Sequence, residues 1–528
     1  MMGIGFELGK SLGPLGIAAA VGAGLMMAAN ASDSMGFNDA FSSRQQFRVS
    51  SSQVEEEEEE EKKRKLKDVV VIGCGAAGIA ALSKLQEAGL DVVGLEAASS
   101  IGGRIRTIPF ADGVVDLGAA WCHGETGNKV FELANPHDLL GRPGKEEVWY
   151  IFSNGTLMPN GNANTIVNEF KDAERDANGI EKRSISKCID EKVGRIKSIA
   201  DPGRIPVTAP FIEWYKRDNH LGGQVDPKEG KSLRNLVENE TCHGEFWLNW
   251  KGKGYKTILD VLLKKYPHSS KPEPEIFLNT KVNSIIWQLE DDTDDNKPYV
   301  KVIANNMTIE TKCVIITVSI GVLKESHSKL FMPMLEPEKI SCIDNIGFCV
   351  LDKIYIEFAS AWWGHSPANF NVIWKQEDKN DFSEIDQWVT EIYGLRTVEH
   401  QPNILLAWIY GEGAKKMEGK DDHEVKSGIE KFMQHVFSLN FKVSAIKGIM
   451  RSQWSRDPLV RGSYSYRSVA TEEAEASAAG LKKPLNFKGK AVVYFAGEAT
   501  SEKHYNSVHG AIESGFQAAE DVMRAPPF

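Results

Sequence analysis

Residues 66–78 read LKDVVVIGCGAAG, and this stretch decides the fold. Its first half is apolar, β-branched and without alternation, as a strand covered on both faces must be. It runs into Gly73, Gly75 and Gly78, then into a helix-compatible segment, IAALSKLQEAG (79–89). A second short strand, DVVGLEA (91–97), carries Glu96 at its end. Strand, glycine turn, helix and strand in that order make a βαβ unit. Its glycines permit a tight turn and close backbone approach to a pyrophosphate, which then faces the N-terminus of the helix. Glu96 lies 18 residues beyond Gly78, where a carboxylate can accept both hydroxyls of a ribose. A lone GxGxxG is a weak signal. With the flanking strand, helix and terminal acid, it predicts a dinucleotide site.

Six residues after Glu96 comes Gly102-Gly103-Arg104-Ile105. This glycine pair lets the backbone pass close to a cofactor, and Arg104 offers a guanidinium fork to phosphates. Nicotinamide dehydrogenases do not need such an element. LGAAWCHG (117–124) follows it. Near the other end, VVYFAGEAT (492–500) reads as a buried strand ending in Gly497-Glu498-Ala499-Thr500, and VHGAIESGFQAAEDVM (508–523) as a helix. In these elements, about 400 residues apart, the chain resembles the flavin amine oxidase family over roughly residues 66–525. Within that family it is most similar to the animal polyamine oxidases, the spermine and N1-acetylpolyamine oxidases.

The resemblance implies an α/β fold: an FAD-binding Rossmann-like domain with a discontinuous α+β substrate domain. The expected boundaries are 66–144, 236–345 and 455–528 for the FAD domain, and 145–235 and 346–454 for the substrate domain. It implies FAD held non-covalently, because Ser463 stands where a covalent branch carries cysteine. The expected cofactor contacts are Gly73, Gly75, Gly78, Glu96, Gly102, Gly103, Arg104, Gly118, Ala119, Trp121, Val282, Trp454, Tyr464, Gly497, Glu498, Thr500 and Val508. Val508 opens a helix whose N-terminus suits the negative charge of a reduced flavin.

Two residues are expected to act on substrate. Lys353, in LDKIYIEF, matches the family lysine that holds a water at flavin N5. Periodicity alone leaves another reading open, because Lys353, Tyr355 and Glu357 alternate with Ile354, Ile356 and Phe358 and fit a solvent face. His123, in WCHG, matches a histidine of the animal branch, with a structural histidine as the alternative. Ser507 stands where monoamine oxidases have a cage tyrosine, and RAPPF where they continue into a membrane anchor, so no C-terminal anchor is expected.

The implied activity is oxidation of spermine, spermidine or their N1-acetyl forms to an aldehyde and a shorter amine, with release of hydrogen peroxide. The partners are a small cationic amine and O2. A monoamine or L-amino-acid oxidase, or a catalytically silent FAD scaffold, remains open.

Composition sets outer bounds. At 528 residues the chain exceeds one ordinary core. A net charge of -11 argues against a nucleic-acid partner, which needs a basic face. Seven cysteines are scattered without CxxC or other metal-ligand spacing, so neither a metal site nor a disulfide framework is expected. Residues 12–29 (LGPLGIAAAVGAGLMMAA), followed by Ala29-Asn30-Ala31, fit a secretory signal, with a Gly/Ala-rich leader on a cytoplasmic chain as the alternative. The block EEEEEEEKKRK (55–65) reads as a solvated linker.

Overall fold

A computed structural model describes residues 66–525, apart from 177–182, 192–204, 222–226, 269–271, 290–298 and 306. The expected signal segment and the charged block lie outside the described residues. In chain order, the elements that position the site begin with β1 (Lys67–Ile72), α1 (Ala76–Glu87), β2 (Val92–Leu95), β3 (Glu147–Phe152) and α2 (Ile205–Asp218). They continue with β4 (Met307–Ile316), β5 (Leu351–Phe358), β6 (Ala368–Ile373), β7 (Ile392–Val398) and β8 (Gln401–Tyr410). They end with β9 (Lys490–Phe495) and α3 (Val508–Arg524).

The apolar run Val69–Ile72 forms a central strand of a nine-stranded sheet and is fully covered, as an unbroken run of β-branched residues requires. β1 pairs in parallel with β2 on one side and β4 on the other. The second half of β4 pairs in parallel with β9, so strands from both ends of the chain meet beside it. α1 and α3 cross closely enough that a Cβ on Gly515 would lie 2.2 Å from the Ala77 carbonyl oxygen. This sheet draws its strands from 67–95, 275–332 and 485–495.

A seven-stranded sheet takes its strands from 147–158 and 351–451, with β5, β8, β7, β6 and β3 as successive neighbours. One face is apolar: Ile354, Ile356 and Phe358 pack with Ile429, Phe432 and Val436 of the helix Asp422–Phe437. That helix begins with a reciprocal capping box between Asp421 and Glu424. The opposite face of the sheet lines a cavity. Lys353 and Tyr355 therefore do not face solvent: the first is 5% exposed and the second 2%. The alternation in LDKIYIEF marks two covered faces rather than a wet one and a dry one.

All seven cysteines are free, and six are buried. Among the described residues, no helix is long and apolar enough to cross a membrane.

Candidate functional site

A cavity of about 1770 Å³ runs from the β1–α1 turn to the inner face of the seven-stranded sheet. This exceeds the usual 300–1,000 Å³ of a small-ligand pocket. At one end, Gly73 (φ 94°) ends β1, and Gly75 bridges Gly102 of the second glycine pair. Gly103 and Gly497 have φ of 56° and 134°, which favours glycine by itself. Gly75 is different: its φ is -75°, open to any residue, and an added Cβ would come no nearer than 3.7 Å to the protein. Close approach of something filling the cavity accounts for its bare backbone. The residues present thus fit a bound dinucleotide.

The Glu96 carboxylate is buried at the end of β2 and oriented by the Cys74 and Ala98 N–H groups, at 2.8 and 2.9 Å. Arg104 donates to Glu498 at 2.8 Å and to the Ser463 carbonyl at 3.0 Å. Burial works against ionisation of Glu498, but the Arg104 guanidinium, the Ser465 hydroxyl and the Asn506 N–H outweigh it, and its carboxyl sits below the usual range. In α3 the Ser507 hydroxyl caps the Gly510 N–H, while the Val508 N–H, in the first turn, has no intrahelical acceptor. Val282, at the start of a strand, and Trp454, whose indole donates to the Leu117 carbonyl at 3.3 Å, also reach the cavity wall.

Two expected contacts are placed elsewhere. Gly78 packs against the β1–α1 turn, where a Cβ would lie 2.0 Å from the Gly73 carbonyl oxygen, so it serves helix–strand packing. Thr500 is buried off the cavity, with its hydroxyl on the Gly497 carbonyl. Gly118 lines the cavity and also holds a tight crossing, since a Cβ there would lie 1.8 Å from the Arg104 carbonyl oxygen.

The Lys353 amine donates to the Gly118 carbonyl at 2.6 Å and the Asp116 carbonyl at 3.0 Å. It lies 5.2 Å from the ring centroid of Trp121 and 5.1 Å from that of Trp408. Burial brings it down to about 7, opposed by the charge of Asp116. Asp116 is itself pushed up to about 6 by burial, against a Thr107 hydrogen bond and the charge of Lys353. Trp121 meets Trp247 edge-on at 5.3 Å, with Ala119 beside them on the cavity wall. His123 stacks on Phe246 at 4.3 Å, its Nδ1 2.6 Å from the Phe246 carbonyl. A carbonyl only accepts, so Nδ1 carries the proton and Nε2 keeps the lone pair. Burial, opposed by the Phe246 hydrogen bond and aided by the charges of Lys353 and Arg396, holds this imidazole below its usual range.

Sequence reasoning missed several wall residues. Arg396 lies 4.1 Å from the Trp247 ring centroid and is paired to Glu146 at 2.7 Å. Tyr464, which was expected, shares a hydrogen bond of 2.5 Å with His220, whose other nitrogen is 2.7 Å from the Tyr393 hydroxyl. Burial, reinforced by Lys231, drops His220 to about 3. Cys242, His504 and His509 also bring ligand-type atoms within 4.8 Å of one another. The Lys129 N–H at 3.0 Å makes His509 Nδ1 an acceptor, so its Nε2 bears the proton and offers a metal no lone pair.

A family profile described as "Flavin containing amine oxidoreductase" matches residues 76–523. The chain belongs to this flavin amine oxidase family. Its cofactor is FAD, as the glycine cradle and Glu96 already suggest. Among curated flavin amine oxidases, the chain is 27% identical to the bovine (Bos taurus) peroxisomal N(1)-acetyl-spermine/spermidine oxidase, covering 86% of this chain and 94% of the relative. It is 26% identical to the Arabidopsis thaliana probable polyamine oxidase 5, over 86% and 98%. A solved redesigned putrescine oxidase shares the fold, with a TM-score of 0.60 at 17% identity over 87% and 99% of the two chains.

Proposed function

We propose that this flavin amine oxidase oxidises polyamines. The observation that carries the reading is the buried Lys353, poised near neutrality between two tryptophans at the seam of the two sheets. The C–H bond beside a substrate nitrogen breaks, leaving an imine, and water converts it to an aldehyde and a shorter amine. When bound, FAD supplies the two-electron acceptor and passes those electrons to O2, which leaves as hydrogen peroxide.

Only a neutral amine donates readily, because a positive nitrogen opposes departure of hydride. A free alkyl ammonium titrates near 10.4, so the site must lower that value. Burial does so here: an ammonium beside the Trp121, Trp247 and Trp408 walls sits in a desolvated space, with the Arg396 guanidinium nearby. Trp121, Trp247 and Trp408 supply apolar walls for the methylenes. In this reading Lys353, with two carbonyls accepting from it, holds a water, and His123 offers an acceptor lone pair at Nε2. The assignment to polyamines is further supported by the names of the curated relatives.

An L-amino-acid substrate is the second reading, favoured by the Arg396 guanidinium on the cavity wall; Glu146 already takes its Nε hydrogen. A screen of spermine, N1-acetylspermine, tyramine and leucine, read by peroxide, separates these. Turnover of the first two is expected. Turnover of leucine or tyramine alone overturns the polyamine reading, and no peroxide from any amine leaves a silent scaffold.

A further inference from the structure

The strands of the seven-stranded sheet place one residue from each of five neighbours in a single cross-strand row. Lys353 of β5 pairs with Trp408 of β8, Trp408 with Gly394 of β7, Gly394 with Asn371 of β6, and Asn371 with Tyr150 of β3. Residues directly opposite across a sheet point to the same face, and all five line the cavity. At about 4.8 Å per strand step, four steps make a track of about 19 Å from Lys353 to Tyr150. Gly394 leaves the middle of the floor bare without backbone crowding, since an added Cβ would meet the Phe370 carbonyl oxygen only at 3.4 Å.

The Lys353 end of the track carries the Lys353 amine, brought down to about 7 by burial, and the Arg396 guanidinium, paired to Glu146. Among the described residues, five acids line the cavity, and four are already engaged. Glu96 accepts two N–H groups, Glu240 pairs with Lys503, Glu325 with Arg461 and Glu498 with Arg104. Asp218 is the fifth. Among the described residues it has neither a hydrogen bond nor an ion pair, only the longer-range pull of Lys171. Its surface opens into the cavity, and its charge acts on Tyr150 and Tyr393 at the far end of the track. It also ends α2, where the helix dipole disfavours a negative charge. A carboxylate at a helix C-terminus, open to the cavity and without a partner among the described residues, is free to receive a visiting cation.

We propose that Asp218 binds the distal ammonium of a linear amine lying along this row, so that the site selects substrates with a second cationic nitrogen remote from the one oxidised. This rests on the amine-oxidase reading above and specifies it. Asp218 attracts the distal charge and the row of side chains carries the methylenes, so the substrate is oriented before chemistry. Asn371 lies one step short of Tyr150, its side chain without a hydrogen-bond partner among the described residues, and offers its carbonyl to an intermediate nitrogen.

The test is Asp218→Asn, which keeps shape and removes charge. Flavin content and melting temperature, matched to wild type, establish that the variant is folded. For spermine the expected result is a KM raised at least tenfold with kcat within twofold, while KM for an alkyl monoamine of similar length stays within twofold. Equal spermine KM values in the two proteins overturn the inference and leave the oxidase reading standing. Calorimetric titration of spermine into both flavoproteins without O2 keeps the two ideas apart. Should wild type oxidise no amine, weaker binding to the variant still supports the Asp218 site, and equal binding overturns it.

Discussion

Replacing Lys353 with Met removes the donor and keeps an unbranched stem of similar length. The Asp116 carbonyl also accepts from the Tyr355 hydroxyl at 2.7 Å and stays satisfied. The Gly118 carbonyl loses its 2.6 Å donor, at a cost of about 1–3 kcal/mol for a buried unpaired acceptor. Relief from burying an amine offsets this, so the fold and FAD retention should survive. If Lys353 holds a water at the reacting centre, the reductive or the oxidative step should slow at least tenfold, about 1.4 kcal/mol of barrier. Stopped-flow bleaching by anaerobic spermine reads the first step, and recovery with O2 the second.

The same variant has a signature in pH. The Lys353 amine sits at about 7 in the folded chain against an ordinary 10.5. Between those values the unfolded chain binds the proton and the folded one does not. Wild-type stability relative to the variant should therefore rise with pH from about 7 towards 10.5, by no more than about 1.4 kcal/mol per pH unit. Below about 7 both states are protonated and the difference should be flat. Both rates within twofold of wild type, together with a flat stability difference throughout, would refute the reasoning.

Other outcomes follow from the same geometry. Glu96→Ala removes the acceptor of the Cys74 and Ala98 N–H groups, each bond to a charged group being about 1.5–3 kcal/mol, and should lower flavin content after gel filtration; wild-type content would mean that another acid holds the ribose. Gly118→Ala drives a Cβ to 1.8 Å from the Arg104 carbonyl oxygen and should cost about 1–3 kcal/mol, read as a lower melting temperature. Acid precipitation should release the flavin into the supernatant, since Ser463 spends its hydroxyl on the Leu351 backbone; colour that stays in the pellet would show a covalent link.

The cofactor end of the molecule was legible because its chemistry lies in contiguous motifs. Gly73, Gly75, Glu96 and the Gly102–Arg104 turn are near in sequence and in space, and the second fingerprint, around Glu498, carries its own strand and helix. Arg104 was expected to meet phosphates; the structure shows it holding Glu498, a bond across 394 positions that neither motif announces by itself. The substrate end was harder. Asp218 is one of 73 acids, in an amphipathic helix with no motif around it, and only the cross-strand pairing of five distant segments puts it at the end of a track. Trp408 and Arg396 were hidden likewise: each is ordinary in its own strand and acquires meaning from the residue opposite. For Lys353 the alternation was real, but the rule that polar alternation faces water holds only where one side of the sheet is uncovered.

The meeting of both chain ends at β4 bears on how the protein is made. A ribosome releases β1, α1 and Glu96 early, yet the strand that completes β4 and the helix that packs on α1 emerge only from residue 490 onward. Contacts so far apart in sequence form slowly, because the intervening loop must close before they are rewarded. A chain halted before residue 490 has a ribose acceptor and a glycine turn but lacks Glu498, the partner of Arg104, and the Val508 helix terminus. Flavin capture thereby waits on residues 490–524, and yellow colour in a preparation marks chains that carry them.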